Sequence, residues 1–166
     1  MEDDRESFSA WAAASQHRLL RTAVLLTGDH HRAEDLVQEA LTKVALRWRR
    51  LRDEHPDAYA RQILVRDNIS WWRRNRREPV RPVEAPSVAS ENPASDRRIV
   101  LEQALAGLTP RQKCVVVLRY FDDLSERQTA EIMGVSVGTV KSQTHLALRR
   151  LREGAPQLAE LLEETS

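Results

Sequence analysis

A proline-rich stretch divides this chain into two parts, and no other feature limits its fold as strongly. Residues 78–94 contain four of the seven prolines and show no helical periodicity. Because proline lacks a backbone N–H and ends helices, this stretch predicts an extended connection. Seventeen residues without secondary structure are also long for a loop inside one compact unit. We therefore predict two domains, and a long surface loop within a single domain is the alternative.

Apolar residues on both sides of this stretch recur at helical spacing, so we predict an all-α protein made of two small helical domains. Capping side chains, first-turn prolines and terminal glycines mark where the helices begin and end. The predicted helices cover residues 7–26, 30–51, 56–77, 96–106, 111–120, 126–133 and 137–153. The predicted domains are residues 7–78 and 96–153, with a flexible linker over residues 79–95 and a short acidic tail over residues 154–166.

The charge of the chain is balanced in total but segregated along the sequence. There are 26 Lys and Arg residues against 25 Asp and Glu residues, which gives a formal net charge of +1. Residues 43–52 nevertheless contain five cations and no acid, and residues 61–77 contain six arginines and one acid. Residues 141–152 add four cations and no acid. Cations at this density repel one another unless a polyanion neutralises them, so these segments favour a nucleic-acid partner.

The strongest local pattern is a predicted helix-turn-helix over residues 124–151. A capping box opens its first helix, Gly134 supplies the left-handed turn, and Ser136 caps the second helix. The residues predicted to pack the two helices together are Ala130, Ile132, Val135, Val140 and Leu146. The residues predicted to remain exposed on the second helix are Val137, Gly138, Thr139, Lys141, Ser142, Gln143 and His145. A recognition helix inserts this part into the major groove of DNA. The alternative is a helix pair that only packs, with Lys141 solvated.

A second pattern combines aromatic and cationic residues at residues 69–77, which read Ile-Ser-Trp-Trp-Arg-Arg-Asn-Arg-Arg. Arginines beside tryptophans suit contacts to the nucleic-acid backbone together with stacked bases. We predict phosphate contacts for the arginines. For Trp71 and Trp72, burial in the core is the slightly favoured alternative to stacking on DNA.

A third pattern is acidic and lies early in the predicted second helix. Asp35, Gln38 and Glu39 fall on one side of this helix and favour docking of a basic partner helix. Carboxylates in a first helical turn also stabilise the helix dipole, and this is the alternative explanation for Glu34 and Asp35.

The sequence offers no constellation for catalysis, for a metal or for a cofactor. His30 and His31 are adjacent, so they cannot present two metal ligands on one helical face. The single cysteine, Cys114, excludes a multi-cysteine zinc site and lies in the apolar run Lys-Cys-Val-Val-Val, where burial is favoured. There is no glycine-rich phosphate loop. We therefore predict a protein that is not an enzyme and needs no metal or cofactor.

Membrane insertion and secretion are also disfavoured. No apolar run approaches the ~18 residues that a membrane-spanning helix needs. Residues 1–6 are acidic and polar, unlike a secretory signal. We expect a cytoplasmic protein.

Six segments of the sequence form a pattern that can be compared with known families. They are residues 25–39, 59–65, 70–74, 108–112, 116–120 and 134–142. The most specific of them are Ala-Glu-Asp-Leu-Val-Gln-Glu at 33–39 and Val-Gly-Thr-Val-Lys-Ser at 137–142. Together they resemble bacterial sigma factors of the extracytoplasmic-function (ECF) group, built only from sigma domains 2 and 4. The resemblance covers about residues 8–152 and is to an actinobacterial type. It implies an alternative transcription initiation factor that directs core RNA polymerase to promoters.

The resemblance also implies a role for particular residues. Asp35, Gln38 and Glu39 would bind the clamp helices of the polymerase β′ subunit, and the helix over residues 111–120 would face the β-flap. The residues implied at the −10 element are Arg66, Asn68, Ser70, Trp71, Trp72, Arg73, Arg74, Arg76 and Arg77. The residues implied at the −35 element are Ser136, Val137, Gly138, Thr139, Lys141, Ser142, Gln143, His145 and Arg149. An anti-sigma factor is left open as a further partner.

Two other functions remain as alternatives to a sigma factor. A stand-alone helix-turn-helix regulator would bind operator DNA by itself, but the sequence shows no effector domain or dimerisation helix. An interaction protein such as a polymerase-bound antagonist would direct its basic helices to acidic protein. The sequence also departs from the family pattern, because Arg66 and Ser70 stand where an Asn and an Asp are frequent.

Overall fold

A computed structural model describes residues 1–75 and 93–165, and within them the chain forms helices and turns but no strand. The all-α prediction is confirmed. In the first unit the helices are α1 Glu2–Thr27, α2 His30–Leu46, α3 Trp48–Leu51 and α4 Pro56–Arg74. In the second unit they are α5 Pro93–Ala106, α6 Pro110–Val116, a π-helical turn Val117–Phe121, α7 Glu126–Met133, α8 Val137–Gly154 and α9 Pro156–Glu164. Most of the predicted linker, and Arg76 and Arg77 with it, lies outside the described residues.

The helix boundaries follow the capping residues. The Asp29 carboxylate accepts a hydrogen bond from the backbone N–H of Arg32, and α1 ends at Gly28 with φ 68°. Thr109 and Ser125 each form a complete capping box, at the starts of α6 and α7. The backbone donors at these helix starts are therefore paired by local side chains, which is why the sequence marked these helix starts correctly.

The predicted helix over residues 30–51 is interrupted in the structure. Arg47 leaves helical geometry with φ −118° and ψ 13°, and a short α3 begins at Trp48. Trp48 is only 7% exposed, stacks edge-on against Phe8 at 5.4 Å, and donates from its indole N–H to the Ser7 hydroxyl at 2.9 Å. The break accompanies the burial of a large aromatic side chain, a tertiary contact that apolar spacing does not report.

Two ends of the chain are more helical than predicted. Helix α1 begins at Glu2, with Glu2, Asp3 and Asp4 in its first turn, where carboxylates favour the helix dipole. The expected acidic tail contains α9, whose Ala159 and Leu162 are buried against the rest of the second unit. An ion pair between Arg152 and Glu163 joins α8 to α9. Because one face of this segment buries apolar side chains, the segment is helical, although its acidic composition led us to predict a tail.

The two units pack directly on each other. Helices α1 and α4 of the first unit both contact α6 of the second; α1 also contacts the π-helical turn, and α4 also contacts α7. One apolar cluster runs through both units and includes Leu26, Leu64, Val116 and Leu118. The positions of the candidate site residues on α2, α4 and α8 follow from this shared core.

Candidate nucleic-acid and polymerase interfaces

The helix-turn-helix forms as predicted, with one exception in its packing. Gly134 adopts φ 67°, and the Ser136 hydroxyl caps α8 by accepting from the Thr139 N–H at 3.1 Å. Val140 is fully buried and packs with Ala130 and Val115 in a small cluster, while Ile132 belongs to the main core. Leu146, expected behind this pair, is 42% exposed. It lies on the outer side of α8, so that part of the prediction is wrong.

The N-terminal half of α8 presents a continuous polar surface. Its exposed residues are Ser136, Val137, Gly138, Lys141, Ser142 and His145, and Thr139 and Gln143 are half-buried beside them. Arg149 is exposed one turn further along, in the second half of α8. The Lys141 side chain is 65% exposed, and its ammonium lies 3.8 Å from Glu126. Because an exposed pair at this distance contributes little, Lys141 can exchange Glu126 for another anion at low cost.

Helix α4 places its cations and its asparagine in different environments. Arg66, Ser70, Arg73 and Arg74 are exposed. Asn68 is only 1% exposed: its amide donates to the carbonyl of Leu26 at 3.3 Å and accepts from Arg32 at 3.0 Å. Contrary to the prediction, Asn68 cannot contact DNA directly here, because both ends of its amide are used inside the core. It acts instead as a positioning residue for Arg32.

Trp71 and Trp72 are both half-buried, so they are neither full members of the core nor fully exposed for stacking on DNA. Their rings lie 5.1 Å apart at 89°, and the Arg32 guanidinium sits 3.4 Å above the Trp71 ring. Burial lowers the pKa of Arg32. The Lys113 ammonium, from the second unit, lies 5.8 Å from the Trp72 ring. The sequence analysis did not predict this role of Arg32. Nothing in the sequence indicates that a cation in the first turn of α2 contacts side chains of α4.

The predicted acidic face is present on α2. Asp35, Gln38 and Glu39 are exposed on one side, and Val37 and Val44 are buried on the other. Glu39 pairs with Lys43 at 2.8 Å, and Lys43 also pairs with Asp67 at 2.9 Å. Hydrogen bonds to Glu39 first and Asp67 second raise the pKa of Lys43.

An exposed apolar residue extends this face and was not predicted. Leu46 is 81% exposed and lies eleven residues after Asp35, which is three helical turns along the same side of α2. A large apolar side chain at this exposure suits contact with a partner. The helical spacing between Asp35 and Leu46 could have predicted this position, but the sequence analysis considered only the acidic and amide residues of this face.

The basic segment over residues 43–52 is partly neutralised inside the molecule. Arg49 pairs with Asp4 at 2.9 Å, and Arg52 pairs with Asp4 at 2.7 Å and with Asp3 at 3.4 Å. The hydrogen bond from Arg49 is the main cause that lowers the pKa of Asp4. Part of the charge segregation therefore serves α1–α3 packing and is not available to a polyanion.

Cys114 is buried, as predicted, and this makes its thiol unreactive. Burial raises its pKa from 9.0 to about 12. We expect no alkylation of the folded protein by iodoacetamide at pH 8 and full alkylation in denaturant, measured by mass spectrometry. Since the unfolded thiol loses its proton first, stability falls as the pH rises from about 9 towards 12. Rapid alkylation without denaturant would contradict the burial.

No group of three or more His, Cys, Asp or Glu side chains that could hold a metal ion occurs in the described residues. Within the same residues, none of the helices combines the length and hydropathy required to cross a membrane.

Comparisons with known proteins match this arrangement in both units. The model of sigma-70 region 2 matches residues 12–78, and the model of sigma-70 region 4 matches residues 98–151. The RNA polymerase sigma-E factor of Streptomyces coelicolor is 37% identical over 149 residues, 88% of this chain and 84% of that protein. The ECF RNA polymerase sigma factor SigL of Mycobacterium tuberculosis is 31% identical over 150 residues, 81% of this chain and 80% of that protein.

A solved structure agrees as well. The sigma factor RpoE of Bartonella quintana, crystallised in complex with the anti-sigma factor NepR, superposes with a TM-score of 0.67 at 26% identity. The match covers 88% of this chain and 94% of that one. The structure thus combines a helix-turn-helix unit with a second helical unit, whose α4 carries arginines and tryptophans. Together with these matches, this combination defines a transcription factor of two helical domains. The chain belongs to the sigma-70 family, in its ECF group, and is an alternative transcription initiation factor rather than a stand-alone regulator.

Proposed function

We propose that this sigma factor contacts polymerase and promoter through three separate surfaces of its two units. What supports the proposal is that each surface carries exposed charged or polar side chains over a buried apolar core. In this proposal the protein carries no catalytic step of its own, works in the cytoplasm, and gives the polymerase its promoter specificity.

The polymerase surface is the face of α2 with Asp35, Gln38 and Glu39. Its carboxylates suit a basic helix pair, and we propose the β′ clamp helices as the partner. Leu46, on the same face, adds an apolar contact at the rim. The β-flap is proposed to bind the second unit near α6, but Gln112–Leu118 are buried in the present arrangement. That contact therefore needs the second unit to be uncovered.

The promoter surfaces are α4 and α8. We propose that Arg66, Ser70, Arg73 and Arg74 follow the −10 strand and that Trp71 and Trp72 stack on unpaired bases once Arg32 and Lys113 move away. The proposed −35 contacts come from α8: Lys141 and Gln143 in its first half reach base edges, and Arg149 in its second half reaches a phosphate. Arg76 and Arg77 extend the −10 surface in the proposal.

An anti-sigma factor is proposed as a regulator, because a sigma factor that superposes over 88% of this chain was crystallised with one. The test of the whole proposal is reconstitution. Core RNA polymerase mixed with the purified protein should select specific DNA fragments from a genomic library and start transcripts downstream of them. Failure of the protein to bind core polymerase would refute it.

Replacing both Arg73 and Arg74 with alanine should weaken holoenzyme binding to all promoters alike. Each phosphate contact contributes roughly 0.7 on a single strand and roughly 0.9 on duplex DNA to the slope of log K against log salt, so the slope should flatten by about 1.4–1.8. Binding titrations at salt concentrations from about 50 to about 200 mM measure this slope. Arg127→Ala, which removes an exposed cation paired with Glu131 on α7, is the control and should leave the slope unchanged. An unchanged slope for the double variant would mean that these arginines are only solvated.

A further inference from the structure

A cluster of two cations and two indole rings lies where α2, α4 and α6 meet. The Arg32 guanidinium of α2 lies 3.4 Å from the centroid of the Trp71 ring and 5.7 Å from that of the Trp72 ring. The Lys113 ammonium of α6 lies 5.8 Å from the same Trp72 ring. Two positive charges therefore meet at one indole, and neither of them forms an ion pair with a carboxylate in the described part of the chain.

Lys113 is a buried cation that lacks a counterion. It is 6% exposed, and within the described residues it makes neither a hydrogen bond nor an ion pair. Burial is the main cause that lowers the pKa of Lys113, and the charge of Arg32 lowers it further. Lysine is almost never fully buried in proteins unless it is paired, because an isolated ammonium in a low dielectric is strongly disfavoured. The cluster is therefore short of negative charge.

The cluster is also short of hydrogen-bond acceptors. The Trp72 indole N–H is buried and has no acceptor among the described residues. The Arg32 guanidinium donates to the Asn68 amide oxygen at 3.0 Å, and its other N–H groups have no partner in the same part of the chain. The Asp29 carboxylate acts on Arg32 from a distance, but it caps α2 and forms no ion pair with the guanidinium there. Buried donors normally find an acceptor, so these groups point to one that is not a side chain of the described residues.

A phosphate group has the charge and the oxygen atoms that this cluster lacks. It carries a charge of about −1.5 to −2 at pH 7, which matches two cations, whereas chloride or one carboxylate leaves a cation uncompensated. Its oxygens accept directional hydrogen bonds from guanidinium, ammonium and indole N–H groups. Arg32, Trp71 and Trp72 are half-buried, so the cluster borders on solvent and a small anion can reach it.

We propose that Arg32, Lys113 and Trp72 form a binding site for a phosphate group, carried by inorganic phosphate or by a nucleotide. Bound phosphate pairs the two charges and accepts from the Trp72 N–H. The site does not depend on the polymerase and promoter contacts proposed above, and it can be measured on the purified protein alone.

The first experiment is calorimetric titration of the full-length protein with inorganic phosphate, with the melting temperature measured at each concentration. Sodium chloride at the same ionic strength is the control for screening. We expect one saturable site and a rise in Tm of about 3–6 °C at about ten times the Kd. An equal response to chloride, or heat that does not saturate, would show an adventitious ion only and would overturn the proposal.

Titrations with adenosine monophosphate and with adenosine distinguish the two sources of the phosphate group. Tighter binding of the monophosphate than of inorganic phosphate would assign the site to a nucleotide. Equal binding of the two would assign it to the phosphate group alone. Adenosine without phosphate should not bind, and binding of adenosine as tight as that of the monophosphate would overturn a phosphate site.

Two variants separate an anion site from a structural lysine. Lys113→Met keeps the length of the side chain and removes its charge, so we expect a higher Tm than wild type without phosphate and no saturable response to phosphate. Trp72→Phe keeps an aromatic ring and removes the indole N–H, so we expect phosphate binding at least about tenfold weaker. Arg127→Met removes an exposed cation of α7 and should bind phosphate as the wild type does. Circular dichroism shows whether each variant is folded.

Phosphate binding by Lys113→Met as tight as that of the wild type would overturn the site. The chain itself offers another source of negative charge, because Glu78, Glu84 and Glu91 lie among the residues outside the described part. Replacement of all three with glutamine should leave phosphate binding unchanged. Binding that appears only in this triple variant would assign the cluster to a carboxylate of the chain and would overturn a site for phosphate.

Discussion

Glu39→Arg is expected to abolish detectable run-off transcription by this sigma factor while leaving its fold intact. Glu39 is exposed on α2, where its only ion pair in the described residues is with Lys43 one turn away. Lys43 keeps Asp67 as a partner after the substitution, so no cation is left unpaired inside the protein. At the polymerase, a cation would then face the basic helix that we propose as the partner. Breaking a buried interfacial charge pair and adding repulsion costs about 2–5 kcal/mol, or a roughly thirtyfold or greater loss of affinity.

The measurement is binding of labelled protein to core polymerase, with transcription as the second readout. Glu160→Arg is the control: it makes the same change of charge at an exposed position of α9, which belongs to none of the proposed interfaces. We expect the control to bind within a factor of about three of wild type, as surface changes away from an interface do. Equal binding by Glu39→Arg and Glu160→Arg would remove the polymerase role from this face.

What the sequence predicted well is what short-range chemistry determines. Asp29, Thr109 and Ser125 cap helices because their side chains reach backbone donors three residues on. Gly134 ends α7 because a left-handed φ of 67° costs a glycine least. The polar half of α8 follows from these boundaries, since the turn fixes which residues face Val140. The helices and the exposed polar surface of α8 could therefore be predicted without any tertiary information.

What the sequence did not predict depends on contacts between distant residues. Asn68 reads as one more polar residue on a basic helix, yet its amide joins Leu26 to Arg32 inside the core. Asp122 reads as part of an acidic patch, yet it is buried against a helix sixty-one residues earlier. Polar residues with partners far along the chain look like surface residues in a one-dimensional pattern. This is why the candidate −10 surface needed correction and the contact between the units was not foreseen.

The net charge of +1 also acquires a structural meaning from these contacts. Arg49 and Arg52 pair with Asp4, and Arg61 pairs with Asp122, so these cations are used within the protein. Arg73, Arg74 and Arg149 are exposed and have no ion pair among the described residues. Exposed cations without an ion pair therefore include residues at the end of α4 and on α8, and a whole-chain total could not show where they lie.

Lys141→Ala is expected to reduce the preference of the holoenzyme for its −35 sequence by about 1–3 kcal/mol, or roughly 5- to 150-fold. Lys141 lies on the exposed first half of α8, and its 3.8 Å pair with Glu126 is too exposed to hold it against a base edge. The helix should remain intact, because alanine favours helix and Val140, which anchors the turn, is unchanged. Arg152→Ala, which removes a cation from the far end of α8, is the control.

The measurement for Lys141→Ala is transcription from a selected promoter and from the same promoter with its −35 element scrambled. A base contact predicts that the variant loses activity on the intact promoter and keeps it on the scrambled one, so that their ratio falls. A phosphate contact predicts an equal loss on both promoters and a salt slope that is flatter by about 0.9. The first outcome would show that Lys141 contacts a base, and the second that it contacts a phosphate. A wild-type activity ratio together with a wild-type salt slope would show that Lys141 does not contact DNA.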